Sequence, residues 1–247
     1  MKQLFKNIIR QILIKTGIPL TRNIAYDIAT EKILARTLKS DSNCVDVGAH
    51  KGEILDRFLV RAPNGHHSGF EPIPAMYNLL VQKYQNKAKI YPFALSSEGG
   101  TTTFNIVHDD MAYSGLKQRQ YKTANPRIEQ IQVEVRKMDD VLSGRSYKVD
   151  LIKIDVEGGE LAVMKGAQDI LSKDRPLLIF ECGKGASEFY GTKPEDVFGF
   201  LNTCSYNIYS LNGYLQQTQH YTLSNFCDAF KNGKEYYFVA SADRASE

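Results

Sequence analysis

The chain has 247 residues, a formal net charge of +3, 43% hydrophobic residues and 24% charged ones. That length suits one α/β domain with a decorated end rather than two full domains, and so ordinary a composition excludes extensive disorder. A charge this mild gives no reason to expect a nucleic-acid partner, and no apolar run reaches the about 18 to 20 residues of a membrane-spanning helix.

In residues 1–16, Leu4, Phe5, Ile8, Ile9, Ile12 and Leu13 recur at helical spacing, while Lys2, Lys6, Arg10 and Lys15 supply only positive charge. Lys6 and Arg10 interrupt any secretory apolar core. This basic amphipathic helix either packs on the domain or a neighbouring subunit, or makes a weak membrane-surface contact. Thr21 is placed to cap a second helix running to about Leu38, with Ile24, Ile28, Ile33 and Leu34 on its apolar side. Residues 1–40 therefore read as a helical extension and 41–247 as the main domain.

From Cys44 onward, short apolar strands alternate with helical stretches: strand 44–48, helix 53–61, strand 67–70, helix 73–84 and strand 89–93. Such alternation predicts right-handed βαβ units and a mostly parallel sheet. The order breaks at 101–107 and 128–135, which alternate like antiparallel strands around a polar segment holding Tyr113, Ser114, Lys117, Arg119 and Lys122. That insertion is either a lid whose cations favour an acidic glycan or a solvated loop. Regular order resumes with strand 150–155, helix 159–171, strand 177–181, a helix from Pro194, and strands 205–210 and 235–239. Cys44, Cys182, Cys204 and Cys227 show neither Cys-x-x-Cys spacing nor a companion histidine cluster, which favours reduced, buried thiols in a cytoplasmic protein.

In an open parallel sheet, ligands bind beyond the carboxyl ends of the strands. The first such end reads Cys44-Val45-Asp46-Val47-Gly48-Ala49-His50-Lys51-Gly52, a strand running into a glycine turn that opens a helix. Glycines there let backbone approach a ligand and let the helix pack on the strand, and the turn can aim helix N-terminal amides at anionic groups. The Gly-x-Gly-x-x-Gly dinucleotide pattern is absent, so a diphosphate is not the expected guest. Asp46, flanked by valines, either meets a cationic cofactor tail or accepts turn amides. Glu71 lies 19 positions after Gly52 at the close of the second strand. It is suited to bind both ribose hydroxyls, the alternative being an acid favoured at a helix N-terminus.

The run Ile152-Lys153-Ile154-Asp155-Val156-Glu157-Gly158-Gly159-Glu160 puts Lys153, Asp155 and Glu157 on one side if the strand stays extended, with Glu160 as a dipole-favoured acid. Together with Val45-Asp46-Val47-Gly48-Ala49-His50-Lys51-Gly52, Phe70-Glu71-Pro72 and Ala94-Leu95-Ser96, this ordered set resembles the FkbM family of S-adenosylmethionine-dependent methyltransferases over roughly residues 40–240. The resemblance implies a class I methyltransferase fold: a Rossmann-like three-layer sandwich whose seven-stranded, mostly parallel sheet carries an antiparallel last strand. By the same resemblance Asp46, Gly48, Ala49, His50 and Gly52 surround the methionine and ribose portions of S-adenosyl-L-methionine, and Glu71 holds the ribose diol. Ala94 and Leu95 border adenine, and Asp155 lies near the transferred methyl group.

The implied reaction is O-methylation of a hydroxylated small molecule or glycan. A neutral hydroxyl needs a base within hydrogen-bond reach. Asp155 and Glu157 are the first candidates, Glu181 follows as a residue that orients the hydroxyl, and His50 and His108 are further alternatives. Asp155 with Glu157 offers a place for a divalent ion, although no metal is predicted. Two other classes share the glycine turn and downstream acid: an NAD(P)-binding oxidoreductase and a non-catalytic nucleoside-binding module.

Overall fold

The computed structural model describes residues 10, 12–14, 16–121 and 123–242. Most of the predicted 1–16 helix, and Lys122 of the insertion, lie outside the described residues. In chain order come α1 (Arg22–Thr37), β1 (Cys44–Val47), α2 (Glu53–Arg61), β2 (His67–Phe70), α3 (Pro74–Tyr84) and β3 (Lys89–Tyr91). The insertion holds β4 (Ala94–Leu95), β5 (Gly100–Val107) and β6 (Ile128–Arg136). Then follow α4 (Met138–Val141), β7 (Leu151–Ile154), α5 (Glu160–Lys165), α6 (Gln168–Lys173), β8 (Leu177–Glu181) and α7 (Pro194–Thr203). Last are β9 (Tyr206–Ser210), α8 (Leu211–Leu215), α9 (Leu223–Lys231) and β10 (Tyr237–Ala242).

Seven strands form one sheet in the order β3-β2-β1-β7-β8-β10-β9, and β4-β6-β5 form a second, smaller one. Pairing from β3 through β8 is parallel, while β10 runs antiparallel to both β8 and β9. The direction of winding reverses between β1 and β7, which opens a crevice at their carboxyl ends.

Both faces of the central strands are covered, hence their near-continuous apolar runs. Val45, Val47, Ile152, Ile154, Leu178 and Phe180 join one core cluster, whereas Cys44, Leu151, Leu177, Ile179 and Val239 join the other beneath α1 and α2. Fully buried rings such as Phe58, Phe180 and Phe238 each stabilise the fold by about 1.5–3 kcal/mol. The same alternation sends Asp46 and Lys153, partners in register, and Glu181 to the α1–α2 face.

Helix α1 begins where expected: the Thr21 side chain accepts the Ile24 N–H at 3.3 Å. Ile28, Ile33 and Leu34 are buried beneath it. The helices Met138–Val141, Leu211–Leu215 and Leu223–Lys231 go beyond the sequence reading, and two of its elements are altered. The strand expected over 89–93 stops at Tyr91, and Ala94 and Leu95 cross instead to the small sheet, paired with Val135 and Arg136. The helix expected over 159–171 is two short ones, because the Asp139 carboxylate starts α6 afresh by accepting the N–H groups of Asp169 (2.9 Å) and Ile170 (3.0 Å). A cap supplied from 30 residues away leaves no mark on local periodicity. All four cysteines are free. Among the described residues, no helix is long and apolar enough to cross a membrane.

Candidate active site

The turn after β1 is built around two left-handed glycines, Gly48 (φ +83°) and Gly52 (φ +76°). Their lack of a side chain serves packing rather than ligand approach. A Cβ on Gly48 would meet the Asp155 carbonyl, and one on Gly52 would meet the Tyr84 hydroxyl at 2.1 Å. Gly52 is not among the residues that line the cleft described below, whereas its neighbours Gly48, Ala49, His50 and Lys51 are.

The amides of this turn are already engaged. Gly48 and Ala49 donate to the Phe70 carbonyl (3.1 and 3.0 Å), Gly52 donates to the Ala49 carbonyl, and the His50 N–H donates to Glu71 Oε2 at 2.8 Å. The expected free amides are therefore absent at these four positions. Glu71 is 4% exposed, and its other oxygen accepts the Ile73 N–H at 2.9 Å where α3 begins. It is thus a helix-start acid and a clamp on the β1 turn at once. Burial pushes its carboxyl up to about 7, against the pull of those two N–H donors.

Asp46, 2% exposed, is likewise pushed up to about 7 by burial, with Lys153 acting in the opposite sense. The ring Nε2 of His50 is buried without a partner among the described residues, and burial lowers the imidazole pKa, which keeps it neutral.

At the end of β7 the extended geometry stops at Ile154. Glu157 takes a left-handed conformation (φ +60°), so strand alternation does not align it with Lys153 and Asp155 as expected. The turn brings it back all the same: Asp155, Glu157 and Glu181 can place carboxylate oxygens within 4.8 Å of one another. Glu160, 3% exposed, is more than a surface acid, since one oxygen accepts the N–H groups of Val156 and Gly158, both at 3.1 Å. Buried carboxylates therefore brace both turns, Glu71 the first and Glu160 the second.

The three converging acids are not equivalent. Burial would raise Asp155, but Lys153 and hydrogen bonds from Glu181 and Tyr237 outweigh it and hold the carboxyl down at about 2. Glu181 is raised well above its ordinary value by burial and by the charge of Asp155, so it keeps its proton and donates it toward Asp155. Lys153 Nζ donates to Asp155 Oδ2 at 2.9 Å, and the Tyr237 hydroxyl donates to the same oxygen. Glu157 forms an ion pair with Arg119. One oxygen of Asp155 and one of Glu157 are thus already engaged by the chain's own donors.

Tyr237 and Arg119 were not assigned these positions from sequence. Tyr237 reaches Asp155 because β10 inserts beside β8, with Tyr237 opposite Glu181. Arg119 reaches across from the insertion, its Nε donating to the Gly185 carbonyl at 3.2 Å and its guanidinium lying 4.8 Å from the Tyr113 ring centre. Arg119 is therefore no free cation for an acidic glycan. Ser114 is buried and accepts the Val107 N–H, while the Lys117 N–H donates to the Tyr190 hydroxyl at 3.1 Å. His108 pairs with Glu129 and does not line the cleft.

One cleft of about 1490 Å³ runs over these strand ends. Asp46, Gly48, Ala49, His50 and Glu71 line one part, and Ala94 and Leu95 of the small sheet lie along it. Asp155, Glu157 and Glu181 line it as well, so the two acidic turns face a shared space. Arg10, Asn23 and Tyr26 of the N-terminal helical region complete the wall.

A seven-stranded sheet of this order, with its antiparallel β10 and a site at the β1–β7 crevice, is the fold of class I methyltransferases. Residues 46–208 match the methyltransferase FkbM domain, and the chain belongs to that family. It is 28% identical over 176 residues to methyltransferase sdnD of Sordaria araneosa, an alignment covering 58% of this chain and 64% of that protein. The crystal structure of methyltransferase FkbM from Methylobacillus flagellatus KT superposes with a TM-score of 0.50 at 14% identity, covering 97% of this chain and 60% of that one. The chain thus spans under two thirds of the length of both relatives.

Proposed function

We propose that the chain is an S-adenosylmethionine-dependent O-methyltransferase that methylates a hydroxyl of a sugar, glycan or related metabolite in the cytoplasm. The observation that carries this reading is the convergence of the Asp46–Glu71 and Asp155–Glu181 regions on one cleft. Its volume of about 1490 Å³ exceeds the roughly 300–1,000 Å³ of a single small-molecule site, leaving room for a cofactor and an acceptor together. Membership of a methyltransferase family and similarity to the Sordaria methyltransferase support methyl transfer as the activity.

S-adenosylmethionine supplies a sulfonium methyl group, whose transfer depends chiefly on alignment of the attacking atom. Buried Asp46 suits the cationic methionine end, the unpaired oxygen lone pairs of Glu71 suit a ribose diol, and Ala94 and Leu95 offer an apolar border for adenine. Asp155 stays ionised and accepts the acceptor's proton, and Glu181, protonated, gives its hydrogen bond to Asp155 and so steadies that base beside the hydroxyl.

A dinucleotide fits less well. Pyrophosphate is held by free turn amides, and those of Gly48, Ala49, His50 and Gly52 are bonded within the chain beside two buried acids. Calorimetry with S-adenosylhomocysteine, NAD and NADP tests the reading, followed by methyl transfer to a panel of hydroxylated sugars. Binding of S-adenosylhomocysteine alone is expected; preferential binding of NAD or NADP would refute it. A weak membrane-surface contact through residues 1–16 is the second part of the proposal, and equal liposome flotation with and without that segment would remove it.

A further inference from the structure

Tyr237 opens β10 in register with Glu181 and reaches the carboxylate at the end of β7. Its hydroxyl and Lys153 Nζ both donate to Oδ2 of Asp155. The Lys153 ammonium also lies 5.1 Å from the centre of the Tyr237 ring, so phenol and ammonium brace one another. Two donors on one oxygen set the plane of the carboxylate and leave Oδ1 clear of both.

The ring is itself held from the N-terminal side. Tyr26 of α1 lies 5.3 Å from it, ring centre to ring centre. The Tyr26 hydroxyl donates to Glu235 Oε2 at 2.5 Å and accepts the Tyr236 N–H at 3.2 Å, while the Tyr236 hydroxyl donates to Asn23. Every one of these contacts fixes the start of β10 against α1.

We propose that Tyr237 is a positioning residue of the methyl-transfer site: with Lys153 it holds Oδ2 of Asp155 and so presents Oδ1 to the acceptor hydroxyl. The inference rests on the methyl-transfer reading above. In the step it serves, the acceptor O–H bond breaks and its proton passes to Oδ1. The electron pair of that oxygen forms the new bond to the methyl carbon, and the pair of the broken carbon–sulfur bond stays on sulfur.

The groups facing Asp155 come from every neighbouring element: Lys153 from its own strand, Asp46 and His50 from β1 and its turn, Glu181 from β8 and Tyr237 from β10. Glu160 faces it from α5, and the Glu157–Arg119 pair closes the remaining side. Lys153 and Tyr237 both donate to Oδ2, and Glu181 donates to the same carboxylate. Loss of the phenol therefore weakens the ionised carboxylate without removing its main counter-charge.

The test uses the full chain carrying Tyr237→Phe, which deletes one oxygen. Carboxyl-carbon NMR, with the Asp155 signal assigned through Asp155→Asn, should show the Asp155 midpoint rising by about one pH unit. S-adenosylhomocysteine affinity should stay within about twofold. With an acceptor in hand, kcat should fall about tenfold or more, KM should change less than about threefold, and the acid limb of kcat should move up with the NMR midpoint. An unmoved Asp155 midpoint in a variant that binds S-adenosylhomocysteine normally overturns this proposal alone. No S-adenosylhomocysteine binding by the wild type overturns the methyl-transfer reading and this proposal with it. The wild-type titration stands even if the variant folds poorly: an Asp155 midpoint in the ordinary carboxylate range shows that nothing holds it.

Discussion

A Cβ placed on Gly48 would lie 2.0 Å from the carbonyl oxygen of Asp155, so the turns after β1 and β7 meet backbone to backbone. Gly48→Ala would combine this clash with left-handed strain of about 1–2 kcal/mol. We expect a lower denaturation midpoint and S-adenosylhomocysteine affinity reduced more than about tenfold, read by calorimetry. Unchanged binding would show that the two turns act independently.

Glu71→Ala would leave the His50 and Ile73 N–H groups without their acceptor. Each buried orphan costs about 1–3 kcal/mol, and the proposed ribose contact goes with them. The thermal shift that S-adenosylhomocysteine gives the wild type should disappear in this variant. A full shift would remove Glu71 from the cofactor site.

Asp46, Glu71 and Glu160 each titrate near about 7 in the folded chain, above their ordinary 3.8 or 4.5, because burial penalises the charged form. Stability drawn from their protonated forms is full below those ordinary values and is lost as pH rises through 7. Asp155 has the opposite sign, but its contribution falls away only as pH drops below 3.8 toward about 2. The ligand-free protein should therefore lose thermal stability from pH 5 to pH 8. Glu160→Gln keeps an oxygen for the Val156 and Gly158 N–H groups and should flatten that slope. An equal slope in both proteins would count against Glu160 as one of its sources.

Arg119 ties the insertion to both Glu157 and the loop after β8. Arg119→Ala should speed amide exchange at Lys117 and Gln120, whose N–H groups bond Tyr190 and Gly185, while exchange in β1 and β7 stays slow. Equal protection at Lys117 and Gln120 in the variant would show that the strap holds without its arginine.

Excess chelator should leave both S-adenosylhomocysteine binding and methyl transfer intact. Lys153 and Tyr237 already engage one oxygen of Asp155, and Arg119 one of Glu157, so the chain supplies its own counter-charges to these acids. Activity lost in chelator and restored by magnesium would overturn this expectation.

The strand ends were legible because they carry their chemistry locally: Asp46 beside a glycine turn, Glu71 before Pro72, Asp155 before two glycines. Glu181 was legible as a strand-end acid, but its protonation was not, since that depends on Asp155 arriving from another strand. Tyr237 had no local signal at all. Its place follows from β10 pairing with β8, a relation between residues 56 positions apart (237 − 181). His108, a turn residue just past β5, pairs with Glu129 instead of lining the cleft. Loop capture worked the same way in the helices, where Asp139 split one predicted helix into α5 and α6.

Because β10 lies between β8 and β9 yet is synthesised after both, a growing chain holds two unsatisfied strand edges until that segment emerges. The phenol that steadies Asp155 arrives in the same movement, so sheet closure and completion of the acidic centre coincide. A ribosome-bound intermediate lacking β10 would expose sticky edges and an incomplete acidic cluster, and hence would need shielding from its neighbours until that last strand docks.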